Sequence, residues 1–466
     1  MKCLILAAGK GSRLRPRGEC KPLIPILGLP LIERVIRSAH EVGADDFYVT
    51  IGYRREQVHA FLDGLAERLG IPITPIDNED WEKENGLSVL KAREYLHEPF
   101  LLLMTDSLFD PSIIRELMEH PLVHGEIILA VDGNTQNPLI NMEDVTRVKT
   151  ESGKIRNIGK GLADFDSFDT GTFLCTPGIF GVLDSCAEKY SDTTLSGAVR
   201  VLAAEGQARA IDIGGHFWID IDDPAAFKRA ENALLANLRD KPNDGPVSRY
   251  FDRPLSVKIS RRLVNYRITA NQISLVSFLC SVVAAGLFTL GGYPALLLGG
   301  LLAQFASVID GCDGEVARLK FQSSDYGRWF DAVLDRYADA FLLFGLTWHA
   351  RGGGTDGLIL LIGFLAIMGS FMLSYTADKY DRLMRDRIGH ARGFRLGRDL
   401  RVFLVFLGAI FNQVYLTLIV IAAVMNIETV RRVIICRDNG WYNMRKTKNK
   451  SDYRQLPSTR RFRTCR

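Results

Sequence analysis

This chain has no Cys-x-x-Cys pair, and its eight cysteines are scattered singly along 466 residues. That spacing excludes a zinc ribbon, a thioredoxin-type redox pair and a disulfide framework, and predicts reduced thiols in a cytosolic or membrane-embedded protein. Histidine is scarce, with eight in all. In the one metal-like spacing, His120-Pro-Leu-Val-His124, the proline argues against both rings sharing a helix face, and so against zinc. No cleavable leader is expected, because Lys2-Cys-Leu-Ile-Leu-Ala-Ala-Gly9 reads as a short strand running into a glycine turn. Excess charge of one sign is also missing. The formal net charge is +4, and no nucleic-acid partner is expected.

What is present divides the chain. Residues 1–240 read as a soluble mixed sequence, whereas 270–430 carry long apolar runs and Arg445–Arg466 is strongly basic. The apolar runs fall at Gln272–Gly291, Tyr293–Ile309, Asp331–His349, Gly357–Thr376, Leu400–Phe411 and Val414–Met425. The longer ones approach the ~20 residues that cross a bilayer, and the last two are short enough to be one broken segment. Six crossings put both ends on one side. The joins at Gly291-Gly292 and Asn412 lack Lys and Arg, and the join between the third and fourth runs carries only Arg351. The join Tyr380–Arg401 holds Arg382, Arg385, Arg387, Arg392, Arg395, Arg398 and Arg401. Positive-inside bias therefore predicts an integral, multi-pass membrane protein with the soluble half, both termini and the basic tail in the cytoplasm. Before the first crossing, Leu255–Val264 alternates apolar and basic residues. This suits an amphipathic helix on an anionic leaflet, with a plain linker helix as the alternative.

Within the apolar half stand Asp310, Asp313, Asp331 and Asp335, at intervals that put each pair on one helix face. Several carboxylates in one low-dielectric place need divalent cations or a catalytic task to offset them. Asp310 lies about 26 Å of helix beyond Tyr293, near the inner membrane boundary, and Asp331 returns from that boundary after the polar elbow Lys320–Tyr326. Asp339 is expected to pair with Arg336 rather than to bind metal. The string Asp-x2-Asp-Gly-x2-Ala-Arg-x8-Gly-x3-Asp-x3-Asp resembles the signature of the CDP-alcohol phosphotransferases with every position filled. The likeness runs from about Leu255 to Met425, and Ala270 stands where the family usually has Pro. It implies that the four acids hold two divalent ions, Mg2+ or Mn2+, and that Asp335 is also the general base. Gly314 and Ala317 would let the nucleotide approach the backbone, and Arg318 would pair with its phosphates. A transporter reading fails because the acids gather at one face with no polar path beyond them.

Residues 1–235 alternate short apolar runs with helix-period segments, among them Cys3–Leu6, Pro30–Val42, Asp46–Ile51, Arg54–Leu69, Phe100–Met104 and Pro111–Met118. This pattern predicts an α/β layered fold with a mainly parallel sheet. A buried strand delivers the loop Leu6-Ala7-Ala8-Gly9-Lys10-Gly11-Ser12-Arg13, followed by Lys21-Pro22-Leu23. Its backbone N–H groups are placed to wrap phosphates, with Arg13 and Lys21 supplying charge. The full string resembles the sugar-phosphate nucleotidyltransferases, and most closely their cytidylyltransferase branch. On that resemblance Leu6, Ala7, Ala8, Gly9 and Gly11 line the nucleotide, Arg13 and Lys21 are catalytic, and Asn85, Gly86 and Ser88 read the base. Asp106 would be a metal aspartate, Asp220 or Asp222 a second, and Lys160 would hold the acceptor's phosphate.

The predicted architecture is an α/β nucleotidyltransferase (Rossmann-like) domain, 1–235, and a linker, 236–252. An all-α six-helix transmembrane domain, 253–430, and a basic cytoplasmic tail, 431–466, complete it. In this order the chain resembles the bifunctional family that joins inositol-1-phosphate cytidylyltransferase to di-myo-inositol-phosphate phosphate synthase. The resemblance implies that CTP and inositol 1-phosphate give CDP-inositol, a CDP-alcohol. Phosphoinositol then passes to a second inositol 1-phosphate, a phosphorylated polyol, with release of CMP. The acceptor's phosphate needs cations, for which Arg398 and Arg401 are candidates, with lipid-boundary anchors as the other reading. Membrane lipid is an expected partner, and the family suggests a homodimer. Three alternatives stay open: another alcohol, a lipid acceptor giving a phospholipid, or a soluble half that binds nucleotide without turnover.

Overall fold

Alternation of Cys3, Ile5 and Ala7 with Leu4 and Leu6 buries both faces of the strand Lys2–Ala7, so it lies inside a sheet. It pairs in parallel with Asp46–Ile51 and with Phe100–Met104. In the computed structural model, which describes residues 1–239, 245–352, 354, 356–388 and 397–452, the chain forms two compact units, Met1–Asn237 and Leu238–Arg466. Residues 240–244 of the expected linker, Arg392, Arg395 and residues 453–466 of the tail lie outside the described residues. So do the side chains of Arg382, Arg385 and Arg387.

The first unit is a nine-stranded sheet in the order Ile73–Asp77, Asp46–Ile51, Lys2–Ala7, Phe100–Met104, Ser167–Cys175, Ile127–Asp132, Ala208–Asp212, Lys154–Gly159, Arg147–Glu151. Helices Leu31–Glu41, Arg55–Leu69 and Pro111–Glu119 pack on one face; Gly178–Tyr190 and Leu195–Ala204 pack on the other. The α/β class stands. Most strands run one way, as expected, and Ile127–Asp132 and Ala208–Asp212 are parallel like the first four, but Ser167–Cys175 runs antiparallel to both neighbours. The far edge is the hairpin Arg147–Glu151/Lys154–Gly159. Its two-residue turn, Ser152 and Gly153, has φ of 52° and 76°, a conformation that closes antiparallel strands only.

The second unit is helical. A capping box at Thr269 and Gln272 starts the helix Ala270–Thr289. Tyr293–Leu319, Asp325–Arg351, Gly357–Ile388, Arg398–Ile410 and Val414–Asp452 follow. Each expected apolar run thus has its own helix, and Phe411–Gln413 separates the last two. Three helices among the described residues are long and apolar enough to cross a membrane: Ala270–Thr289, Tyr293–Leu319 and the stretch Gly357–Ala377. Their outward faces stay apolar, with Leu279, Val283, Leu298, Leu361 and Phe364 between 52% and 58% exposed. Such a belt suits hydrocarbon rather than water. Inside, small residues allow close approach. A Cβ on Gly345 would meet the Ala285 carbonyl oxygen at 2.6 Å. The helix Arg253–Leu263 forms as expected. It docks on Tyr293–Leu319 through polar contacts: Arg253 Nη1 and Ser256 Oγ donate to Glu315 at 2.7 and 2.6 Å.

Candidate active sites

In the first unit the chemistry gathers at the carboxyl ends of neighbouring parallel strands, where open α/β sheets leave a crevice. Lys2–Ala7 ends in the glycine loop, and Phe100–Met104 ends one residue before Thr105-Asp106. Thr105 Oγ1 donates to the Leu6 carbonyl at 2.5 Å, tying the two strand ends together. Gly11 has φ of 60°, and a Cβ there would lie 2.5 Å from the Lys21 Cβ, so only glycine lets the lysine cross the loop. Lys21 Nζ then reaches Asp106 Oδ2 at 2.5 Å and Asp222 Oδ1 at 2.9 Å. Burial works against the Lys21 charge. Asp106 and Asp222 more than offset it, so the ammonium is held above its ordinary range.

The strand Trp218–Asp220 pairs antiparallel with Ser107–Phe109, setting Asp220 opposite Ser107, whose hydroxyl donates to it. Burial, then the charge of Asp106, pushes the Asp220 carboxyl well above the usual carboxylate range. Arg13 and Lys160 meet on one residue that the sequence did not single out. Arg13 Nη1 pairs with Asp144 Oδ2, and Lys160 Nζ lies 2.6 Å from Asp144 Oδ1. Hydrogen bonding from Lys160 prevails over partial burial, and with Arg13 it lowers the Asp144 carboxyl to about 2. Asp144 stands in a polar loop without strand or helix period, so only its Asp/Asn-rich surroundings marked it.

The expected base readers have structural partners. Asn85 Oδ1 accepts from the Leu195 backbone N–H at 3.0 Å, and the buried Ser88 hydroxyl accepts from Asn78 at 3.0 Å. A Cβ on Gly86 would strike the Thr193 carbonyl oxygen at 2.5 Å. Leu6, Ala7 and Ala8 are buried while Gly9 opens to solvent. Asp106, Asp220 and Asp222 line one region, with Lys21 between Asp106 and Asp222. His120 ends the helix Pro111–Glu119.

In the second unit, carboxylate oxygens of Asp310, Asp331 and Asp335 lie within 4.8 Å of one another, the one such acidic group among the described residues. The elbow between helices Tyr293–Leu319 and Asp325–Arg351 returns the chain so that the two motif halves face each other. Asp331 Oδ1 is buried without a hydrogen-bond partner, which leaves its lone pairs free to serve a cation. An all-carboxylate set suits hard divalent cations, so the residues fit the metal that both families generally use. Asp313 borders this group within hydrogen-bonding reach of Asp331, and it accepts from Ser274. Ser277 Oγ lies 3.3 Å from Asp310 Oδ1. Ser274, Ser277 and Ser281 are all buried on one face of Ala270–Thr289, a polar stripe legible in hindsight from its three-and-four spacing. Gly314 and Ala317 lie on the same helix as the first two acids, as does Arg318.

Arg398 enters from the fifth long helix. Its Nη1 lies 2.7 Å from Asp310 Oδ2 and 2.6 Å from Asp335 Oδ1. Arg401, expected to face the acceptor with it, turns instead to Asp339. Its Nη2 and Nε donate to Asp339 Oδ2 at 2.7 and 3.1 Å. The expected Asp339–Arg336 pair is therefore replaced. Arg336 sits 3.8 Å from Asp335 and donates to the Ala332 carbonyl, because only the inward face of the helix reaches Arg401.

Comparison with known proteins finds one family in each half of the chain. The MobA-like NTP transferase domain family matches residues 3–155, and the CDP-alcohol phosphatidyltransferase family matches 267–433. A protein of Rubrobacter xylanophilus called bifunctional IPC transferase and DIPP synthase is 36% identical, covering 92% of this chain and 95% of its own length. One of the same name from Aquifex aeolicus is 31% identical, covering 93% and 97%. Among solved structures, the inositol-1-phosphate CTP transferase from T. maritima is 26% identical with a TM-score of 0.44, covering 49% of this chain and 94% of its own. The chain is thus a nucleotidyltransferase fused to a CDP-alcohol phosphotransferase in a membrane protein. It belongs to the bifunctional IPC transferase and DIPP synthase family.

Proposed function

We propose that residues 1–235 convert CTP and inositol 1-phosphate to CDP-inositol and diphosphate. Residues 253–430 then transfer phosphoinositol from CDP-inositol to a second inositol 1-phosphate, releasing CMP. In the first step a phosphate oxygen of inositol 1-phosphate attacks the α-phosphorus of CTP, and the α–β P–O bond breaks. Backbone N–H groups of residues 8–11 cradle the nucleotide phosphates. Lys21 and Arg13 balance charge building on the transferred and leaving groups, and Lys160 holds the sugar phosphate. The Asp144 clasp keeps Arg13 and Lys160 aimed into the crevice until phosphates compete for them.

In the second step an acceptor hydroxyl attacks the phosphorus that bears inositol, and the P–O bond to CMP breaks. Asp335 takes the hydroxyl proton, while Arg398 holds the acceptor's phosphate beside the acids. Asp310, Asp313, Asp331 and Asp335 would hold Mg2+, as would Asp106 with Asp220 or Asp222 in the first unit. Bound there, the ion neutralises the diphosphate. We place the acid cluster, both termini and the basic tail on the cytoplasmic side, with Arg253–Leu263 against membrane lipid, and a homodimer as the working assembly.

What supports this reading most is the meeting of Asp310, Asp331 and Asp335 beside a cation from another helix. Purified protein in lipid, given CTP, Mg2+ and inositol 1-phosphate, should release diphosphate and then CMP. Asp331→Asn should lower CMP release at least about a hundredfold and leave diphosphate release intact. Loss of both products in that variant contradicts two separate sites, and turnover only with another phospho-alcohol removes the inositol assignment.

A further inference from the structure

The charges around the acid cluster raise a question that the reaction does not answer. Two arginines three residues apart, Arg398 and Arg401, enter the same buried region, yet one phosphate needs to be held there. Asp339 separates them. It lies one helical turn beyond Asp335 on the same face and is 5% exposed. Its Oδ2 accepts two hydrogen bonds from Arg401, at 2.7 and 3.1 Å, and a third from Ser370 Oγ at 2.9 Å. Its Oδ1 lies 3.5 Å from Arg398 Nε, an ion pair without a hydrogen bond.

The consequence is unequal. Arg401 is locked: its side chain is 6% exposed, and two of its nitrogens are committed to one carboxylate. Arg398 is steered by charge but keeps its Nη1 at Asp310 and Asp335, where the chemistry is. With three donors on one oxygen, the Asp339 carboxylate pairs with Arg401, so that this arginine does not compete for Asp335. Asp339 also joins three helices, since Ser370 belongs to Gly357–Ile388 and both arginines to Arg398–Ile410.

We propose that Asp339 is a positioning residue for the phosphorylated acceptor: by fixing Arg401 it leaves Arg398 as the cation that holds the acceptor's phosphate. Asp339 touches neither metal nor substrate and acts through the arginines. This rests on the reading of a phosphorylated acceptor given above.

The test uses the full-length protein in lipid, with CDP-inositol as donor and either inositol 1-phosphate or inositol as acceptor. Diphosphate release by the first unit serves as an internal control. Wild type should require the acceptor's phosphate. A wild type indifferent to it removes the underlying reading and the proposal together. Given that requirement, Asp339→Asn should raise the KM for inositol 1-phosphate about tenfold or more, the scale of one weakened charged hydrogen bond. The KM for CDP-inositol and diphosphate release should be unchanged. In the double variant with Arg401→Gln, the effects on acceptor KM should not add. A fall in kcat with both KM values moving together, or unmoved, overturns the positioning role and leaves the reaction assignment intact. Should Asp339→Asn fail to assemble, Ser370→Ala, which removes a single hydrogen bond to the same carboxylate, decides between the same outcomes. A selective acceptor KM rise of a few-fold supports the role, and no selective change overturns it.

Discussion

Asp144 shows how one residue can organise a site without belonging to any motif. It faces Lys160 and Arg13, and its carboxyl is held at about 2, below the unfolded value of about 3.9. A depressed carboxylate contributes stability that is full above the unfolded value and disappears as pH falls through the folded one. Asp144→Asn should therefore abolish a stability difference that wild type shows at neutral pH and loses between about pH 4 and pH 2. Its size is at most roughly 2.6 kcal/mol before screening and well below that after it, since Arg13 and Lys160 are half-exposed or more. Acid denaturation of wild type and variant side by side checks this; parallel curves would count against the clasp. The sequence announced Arg13, Lys21, Asp106 and Lys160 because each sits in a string of fixed neighbours. Asp144 had only its polar surroundings to mark it and the Asp339–Arg401 pair had nothing, because Arg13 and Arg401 lie far along the chain from these acids, and distance in sequence hides contact in space.

Helices and strands were more legible than single contacts. The elements around Cys3–Leu6, Asp46–Ile51 and Phe100–Met104 stand within a residue of their expected bounds, since buried apolar runs leave the backbone little choice. Strand direction was harder to read. Ser152-Gly153 was the local signal for antiparallel closure, and periodicity alone does not report direction. In the helical unit, the acids were visible from their spacing, whereas the serine stripe that faces them lies among apolar residues and carried no charge to mark it. Packing between these helices depends on absent side chains. Gly345→Val should force Ala270–Thr289 and Asp325–Arg351 apart, costing about 1–3 kcal/mol and lowering the unfolding temperature in detergent. Gly286, with nothing within 4 Å of its missing Cβ, is the contrast. Gly286→Ala should be neutral or stabilise by up to about 1 kcal/mol. Equal effects at both positions would mean that close approach is not what Gly345 provides.

At the level of the whole chain, two catalytic units in sequence imply that defects in one are repaired by the other's counterpart. Lys21→Ala removes the cation that Asp106 and Asp222 share, and should stop diphosphate release while leaving CMP release from supplied CDP-inositol. Mixed with Asp331→Asn, it should restore CMP formation from CTP after a lag, because the intermediate crosses solvent between molecules. No restoration would point to transfer confined to one molecule. The domain order was readable from composition, and the family from two motifs. Arg398 carries a consequence for how such a protein comes to exist. With its guanidinium already between Asp310 and Asp335, the bundle holds an internal counter-ion. A newly inserted chain then has no need to await divalent salt before its helices associate. Chelator-treated wild type should melt near the untreated protein, whereas Arg398→Gln should become dependent on added Mg2+ to resist heat. Maturation would in that case be an exchange of cations within finished architecture, not a folding event.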